Sequence, residues 1–198
     1  MRIISGIYRG RKLIPIKGKD IRPTTDRARE SLFNILGNEI FQARVLDLFA
    51  GTGAVGIEAL SRGASQVIFA DQSRTACQVI KENLAHCCQH QDPDKITKIL
   101  CTDILAPDFF SSFAPESFDL IFLDPPYHRG MAGQLMKNSN FLSCLSPGGM
   151  IIAEHSPREQ LQDRYHGLDF SRMKKYGNSM FSFFTMSSSI PKGNTHAI

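Results

Sequence analysis

An apolar run, Val45-Leu46-Asp47-Leu48-Phe49-Ala50, passes directly into Gly51-Thr52-Gly53-Ala54-Val55-Gly56 and then into a helical pattern through Ile57, Ala59 and Leu60. A buried strand, a G-x-G-x-x-G turn and a helix in that order form the opening unit of an open α/β sheet. In such a sheet the glycines let the backbone approach a ligand at the helix N-terminus. The unit alone does not choose between a dinucleotide and another nucleoside, so the rest of the chain has to decide.

The pattern continues with strands over residues 66–71, 96–101, 118–123 and 150–155, interleaved with helical stretches over 73–87, 107–113 and 130–145. Ser146-Pro147-Gly148-Gly149 turns into the fifth strand, and two late strands, 170–176 and 180–186, are separated by Gly177-Asn178. Alternating strands and helices predict a mostly parallel sheet, and the closing hairpin adds antiparallel strands. The expectation is a seven-stranded, methyltransferase-type α/β sheet with helices on both faces. Four acids, Asp47, Asp71, Asp103 and Asp124, lie in or just after four successive strands. Ligands of open α/β sheets bind at the carboxyl ends of the strands.

Asp124-Pro125-Pro126-Tyr127 closes the strand Phe118-Asp119-Leu120-Ile121-Phe122-Leu123. The residue types suit methylation of an exocyclic amine on a purine. Such an amine is a poor nucleophile because its lone pair is delocalised into the ring, and acceptors on its two N–H bonds draw the nitrogen toward tetrahedral geometry. Asp124 can accept one and the Pro125 carbonyl the other, the prolines holding that carbonyl by their fixed φ. Tyr127 offers a stacking face. Asp124 is read as an orienting acceptor rather than a base, because the amine loses its proton readily only after methyl transfer.

With that loop in place, the glycine turn reads as a site for S-adenosylmethionine. Its methionine carboxylate suits a helix N-terminus, while its cationic groups suit nearby carboxylates. Asp47 is the candidate for the amino end. Asp71, 20 residues after Gly51, is the candidate ribose ligand, and Asp103 can meet the adenine amino group.

At 198 residues and 42% hydrophobic content the chain can bury the core of one domain. No run approaches a membrane span, the start lacks the apolar core of a signal peptide, and five cysteines without C-x-x-C spacing predict reduced, cytosolic thiols. His86-Cys87-Cys88-Gln89-His90 has no second ligand pair, so no metal is expected. Charge is divided unevenly. Residues 1–29 carry nine basic side chains against Asp20 and Asp26, a balance of +7, whereas the remaining 14 basic and 17 acidic residues give −3. A basic arm on a slightly acidic body fits a phosphate backbone, with Arg2, Arg9, Arg11 and Lys12 as contacts. Alternation through Ile3, Ile4, Ile7, Leu13, Ile14 and Ile16, with glycines at 6, 10 and 18, predicts a hairpin. A helix follows, with Ala28, Leu32, Ile35 and Leu36 as its apolar stripe and Arg27 and Arg29 on its exposed face. Arg22 and Arg27 are candidate contacts to phosphate or to the cofactor carboxylate.

Residues 22–36, Arg-Pro-Thr-Thr-Asp-Arg-Ala-Arg-Glu-Ser-Leu-Phe-Asn-Ile-Leu, together with Asp47 to Ala64 and Asp124 to Tyr127, resemble the RsmD family of bacterial 16S rRNA guanine-N2 methyltransferases. Lys174-Lys175-Tyr176-Gly177 is similar to that family's closing hairpin, and the resemblance covers about residues 1–186. One departure is Asp71, where the family's pattern more often has Glu. The resemblance implies cofactor contacts at Asp47, Phe49, Gly51, Gly53, Gly56, Asp71 and Asp103, catalysis at Asp124, Pro125, Pro126 and Tyr127, and RNA contacts along the arm. It also implies a guanine of 16S rRNA as substrate, presented in the 30S subunit or an assembly intermediate, by a cytoplasmic protein that needs no oligomer. The expected division is a basic extension over 1–40, a methyltransferase domain over 41–186 and a polar tail over 187–198. An adenine-N6 DNA methyltransferase shares the catalytic loop, but its base-reading region finds no room here: 67 residues lie between Gly56 and Asp124 and 71 follow Tyr127. A noncatalytic RNA-binding or NAD-binding module is the other alternative, and the intact Asp124 to Tyr127 loop argues against it.

Overall fold

The computed structural model describes residues 1–16, 26–89, 92–126, 130–177 and 179–187. Arg22, Tyr127, His90 and the tail beyond Ser187, all named above, lie outside the described residues.

Among the described residues, eight strands form one sheet in the order β3-β2-β1-β4-β5-β8-β7-β6. The first five, β1 (Arg44–Leu48), β2 (Gln66–Asp71), β3 (Thr97–Cys101), β4 (Phe118–Leu123) and β5 (Leu145–His155), pair in parallel. Strands β6 (Arg164–Tyr165), β7 (Leu168–Tyr176) and β8 (Ser179–Met186) complete the sheet in antiparallel fashion. The eighth strand, β6, was not expected. It is only two residues long, too short to leave a period-two signal. β1 and β4 are neighbours although β2 and β3 intervene in the chain, so the strand order reverses between them and a crevice opens at their carboxyl ends.

Helices α1 (Asp26–Leu36), α2 (Ala54–Ser61) and α3 (Arg74–Cys87) pack on one face, and the short α4 (Pro93–Ile96) leads into β3. α3 buries Ala76, Val79, Ile80, Asn83, Leu84 and Cys87, the spacing of a helical stripe, and Ser73 caps it by accepting from the Ala76 amide at 3.3 Å. The opposite face is covered by Phe109, Phe110, Phe141 and the short helices α5 (Met131–Leu135) and α6 (Ser139–Ser143). Two expected helices come out differently. The stretch 107–113 keeps only a 3₁₀ turn, Phe110–Ser112, and Phe109 meets the rings of Phe110 and Phe113 edge-on. The stretch 130–145 is broken at Asn138, whose side chain accepts from the Asn140 and Phe141 amides and starts α6 afresh.

The N-terminal segment folds back on itself, with Arg2 opposite Lys12 and Ile3 exchanging backbone bonds with Gly10 and Arg11. It belongs to the core, since Ile3, Tyr8 and Leu13 are buried in the same cluster as Leu32, Val45 and Ile57. α2 holds it: Glu58 accepts from the Ile4 amide at 2.8 Å and the Ser5 amide at 3.0 Å, and Ser61 accepts from the Ile7 and Tyr8 amides. Gly6, at φ +80°, lies so close that a Cβ would stand 1.7 Å from the Ser61 carbonyl oxygen.

Arg29 corrects the sequence reading. It is fully buried rather than on an exposed face, pairing with Glu58 at 3.8 Å and Asp26 at 3.1 Å and donating to the Arg2 carbonyl. Phe33, not Ile35, completes the fully buried stripe of α1.

Candidate active site

The glycine loop is built by its neighbours. Phe49 sits at φ 60°, unusual for a bulky residue, and swings the chain out of β1. Gly51 follows at φ +56° and donates its amide to Asp71 Oδ2 at 3.0 Å, while Asp71 Oδ1 accepts from Ser73 at 2.8 Å. Gly56 must be glycine for packing, because a Cβ there would stand 2.3 Å from the Phe69 ring. Asn83, fully buried on α3, donates to the Thr52 carbonyl at 2.9 Å and accepts from the Ile14 amide at 2.7 Å. One side chain therefore links the glycine loop to the end of the basic arm. Nothing in the sequence distinguishes Asn83 from any polar residue of an amphipathic helix.

The acids occupy the crevice differently. Asp47 is buried in β1, where its Oδ2 accepts from the Gly56 amide at 2.9 Å, so it braces the turn from beneath. Burial pushes its pKa up to about 7, with a further push from the charge of Asp71, against the pull of the Gly56 hydrogen bond. Asp103 is exposed and accepts from the Leu105 amide at 2.9 Å. Asp124 follows β4 beside β1, its amide 3.4 Å from the Leu48 carbonyl. It is open to solvent on one side while protein crowds the others. Desolvation, then the charges of Glu154 and Asp47, hold its pKa well above the usual carboxylate range. Pro125 is buried and Pro126 exposed. Glu154, near the end of β5 and buried, was missed in the sequence, where it is one more residue in a run that reads as core.

The family described as "Conserved hypothetical protein 95" matches residues 1–185. Ribosomal RNA small subunit methyltransferase D of Haemophilus influenzae is 37% identical over 155 residues, which cover 78% of each chain. The chain belongs to the RsmD family. The solved structure of yhhF from Escherichia coli matches with a TM-score of 0.77 at 30% identity, covering 96% of this chain and 99% of that one. The fold also matches an RNA methyltransferase from Salinibacter ruber in complex with S-adenosyl-L-homocysteine, with a TM-score of 0.62 at 13% identity over 86% and 97% of the two chains.

As an RsmD-family protein the chain is a methyltransferase that uses S-adenosylmethionine. The donor set fits that cofactor: a glycine turn at a helix N-terminus for its carboxylate, and acids at successive strand ends for its amino group and hydroxyls. Of the remaining site candidates, Arg2, Arg9, Lys12 and Arg27 are exposed, and Arg2, Arg9 and Arg27 line a cleft of about 510 Å³ beside α1. Arg11 is half-buried and donates to the His86 carbonyl at 2.7 Å. Among the described residues no group of His, Cys, Asp or Glu side chains is placed to hold a metal ion, and no helix is long and apolar enough to cross a membrane.

Proposed function

We propose that this chain methylates the exocyclic N2 amine of a guanine in 16S rRNA, acting as a cytoplasmic monomer on the 30S subunit or an assembly intermediate. The observation that carries the reading is the position of Asp124-Pro125-Pro126, next to β1 and its glycine loop, in a chain whose relatives are named small-subunit rRNA methyltransferases.

S-adenosylmethionine supplies a methyl group on a sulfonium centre. Asp124 and the Pro125 carbonyl accept the two N2–H bonds, aim the nitrogen lone pair and draw it out of conjugation. The N2–C bond forms as the S–C bond breaks, and the N2 proton leaves afterwards to Asp124 or water. Asp47 and Asp71 serve the amino end and the ribose, with Asp71 also clamping Gly51. Asp103 serves the adenine amine and Tyr127 stacks on the target base. That base has to leave its stack to reach the pocket. Arg2, Arg9, Arg11, Lys12, Arg22 and Arg27 hold phosphates.

The test is transfer of labelled methyl to free small-subunit RNA, to 30S particles lacking the modification and to duplex DNA, followed by nucleoside analysis. N2-methylguanosine in the RNA supports the reading. N6-methyladenine in the DNA, or no transfer despite cofactor binding, overturns it.

A further inference from the structure

Strands β4 and β5 run in register, Phe122 beside Ile152 and Leu123 beside Ala153. One step further along each brings Asp124 beside Glu154. Alternate residues of a strand share a face, and neighbouring strands lie about 4.8 Å apart, so Asp47, Asp124 and Glu154 all project to the side that carries Phe122 and Ile152. The charges of Glu154 and Asp47 raise the pKa of Asp124, in keeping with that placement. Glu154 is only 6% exposed, so a carboxylate is held at the end of β5 next to Asp124.

The edge of guanine offers two donors in a row. Its N1–H stands next to the N2 amine, so a base that meets Asp124 through N2 can turn N1–H toward Glu154 on the adjacent strand β5. Adenine and 2-aminopurine carry a bare, accepting nitrogen at N1. We propose that Glu154 accepts the N1–H of the target guanine and makes the site selective for guanine over purines that carry an amine but no N1 proton. This rests on the guanine-N2 reading above. A carboxylate on N1–H also pushes electron density through C2 toward N2, which assists the same nitrogen that Asp124 orients. Glu154 is then a specificity residue as well as a neighbour that tunes Asp124.

The test compares single-turnover methyl transfer to a substrate RNA bearing guanine at the target position with the same RNA bearing 2-aminopurine there, which keeps the N2 amine. The wild type should favour guanine by about ten- to a hundredfold, the range for a hydrogen bond to a charged group. Glu154→Gln presents an amide N–H that can donate to the bare nitrogen of 2-aminopurine. It should lower the rate on guanine and bring the preference to less than about threefold, while affinity for S-adenosylhomocysteine stays within about twofold. If Glu154→Gln does not fold, Glu154→Ala should reduce the rate on guanine to the level of 2-aminopurine. A preference unchanged in the variants, a wild type indifferent to the analogue, or a loss confined to cofactor binding would overturn the assignment. A wild type that places no methyl on guanine N2 would instead remove the reading on which it rests.

Discussion

Asp71 holds Gly51 in its left-handed turn, accepting the Gly51 amide at 3.0 Å on one oxygen while the other accepts the Ser73 amide at 2.8 Å. The carboxylate at the end of β2 thus shapes the glycine loop in addition to the ribose contact proposed for it. Asp71→Ala is expected to weaken S-adenosylhomocysteine binding by about ten- to a hundredfold, the cost of one or two charge-assisted hydrogen bonds, with the rate at saturating cofactor largely spared. Calorimetric titration beside single-turnover kinetics separates these effects, and a rate defect with normal affinity would assign Asp71 elsewhere.

Asp124→Ala has the opposite signature. Affinity for S-adenosylhomocysteine should stay near the wild-type value, while methyl transfer falls by at least about a hundredfold, the cost of misaligning reacting groups.

The pH dependence of the wild type follows from the same residue. Asp124 accepts strongly through both oxygens only when ionised, and crowding by protein together with two acidic neighbours raises its pKa above the ordinary carboxylate range. The acid limb of kcat/KM should therefore rise at a pH above that of a solvated aspartate. A profile already flat at pH 5 would contradict the role.

Asp47 links folding to pH. Its folded-state pKa of about 7 lies above the unfolded value of about 3.9, so the folded protein holds an extra proton between those limits. Its favourable contribution is complete below about pH 4 and is lost as pH rises through about 7. Asp47→Asn, which can still accept from Gly56, should raise the melting temperature of the cofactor-free protein at pH 8, by about 2–4 °C per kcal/mol recovered, and leave it little changed at pH 4. Cofactor affinity should fall. An identical pH slope in wild type and variant would show that Asp47 does not carry the linkage.

Replacing Arg9 and Lys12 with serine should weaken binding of substrate RNA and lower the slope of log K against log salt by about 1.5. Both side chains are exposed, so melting temperature is the control. An unchanged slope would remove the arm from the interface.

How far the sequence was legible depended on how each element is buried. β1, β2 and β4 are covered on both faces and read as continuous apolar runs, which made the parallel sheet plain. The glycine turn was legible because Gly51 takes a left-handed φ that side chains adopt only at a cost and Gly56 leaves no room for a Cβ. Arg29 was not legible, since a charged residue next to an apolar stripe looks solvated until Glu58, 29 residues later, folds against it. Asn83 and Glu154 were missed for the same reason: their partners come from other elements. The stretch 107–113 was read as a helix from its place between two strands, but its phenylalanines gain more from burial against Phe118 and Phe141 than a short helix would gain from its own hydrogen bonds.

Because Gly6 has no space for a side chain against Ser61, and Ile3, Tyr8 and Leu13 lie in the main core, the first part of the arm, through Leu13, is fixed to the body of the protein. On the RNA contacts proposed above, it works as a fixed ruler: the span from Arg2, Arg9 and Lys12 to the crevice is set when the protein folds, and any adjustment falls to the RNA. Evolution can then retune affinity at the charged tips, but it cannot lengthen or shift the arm without rebuilding the interior of the enzyme.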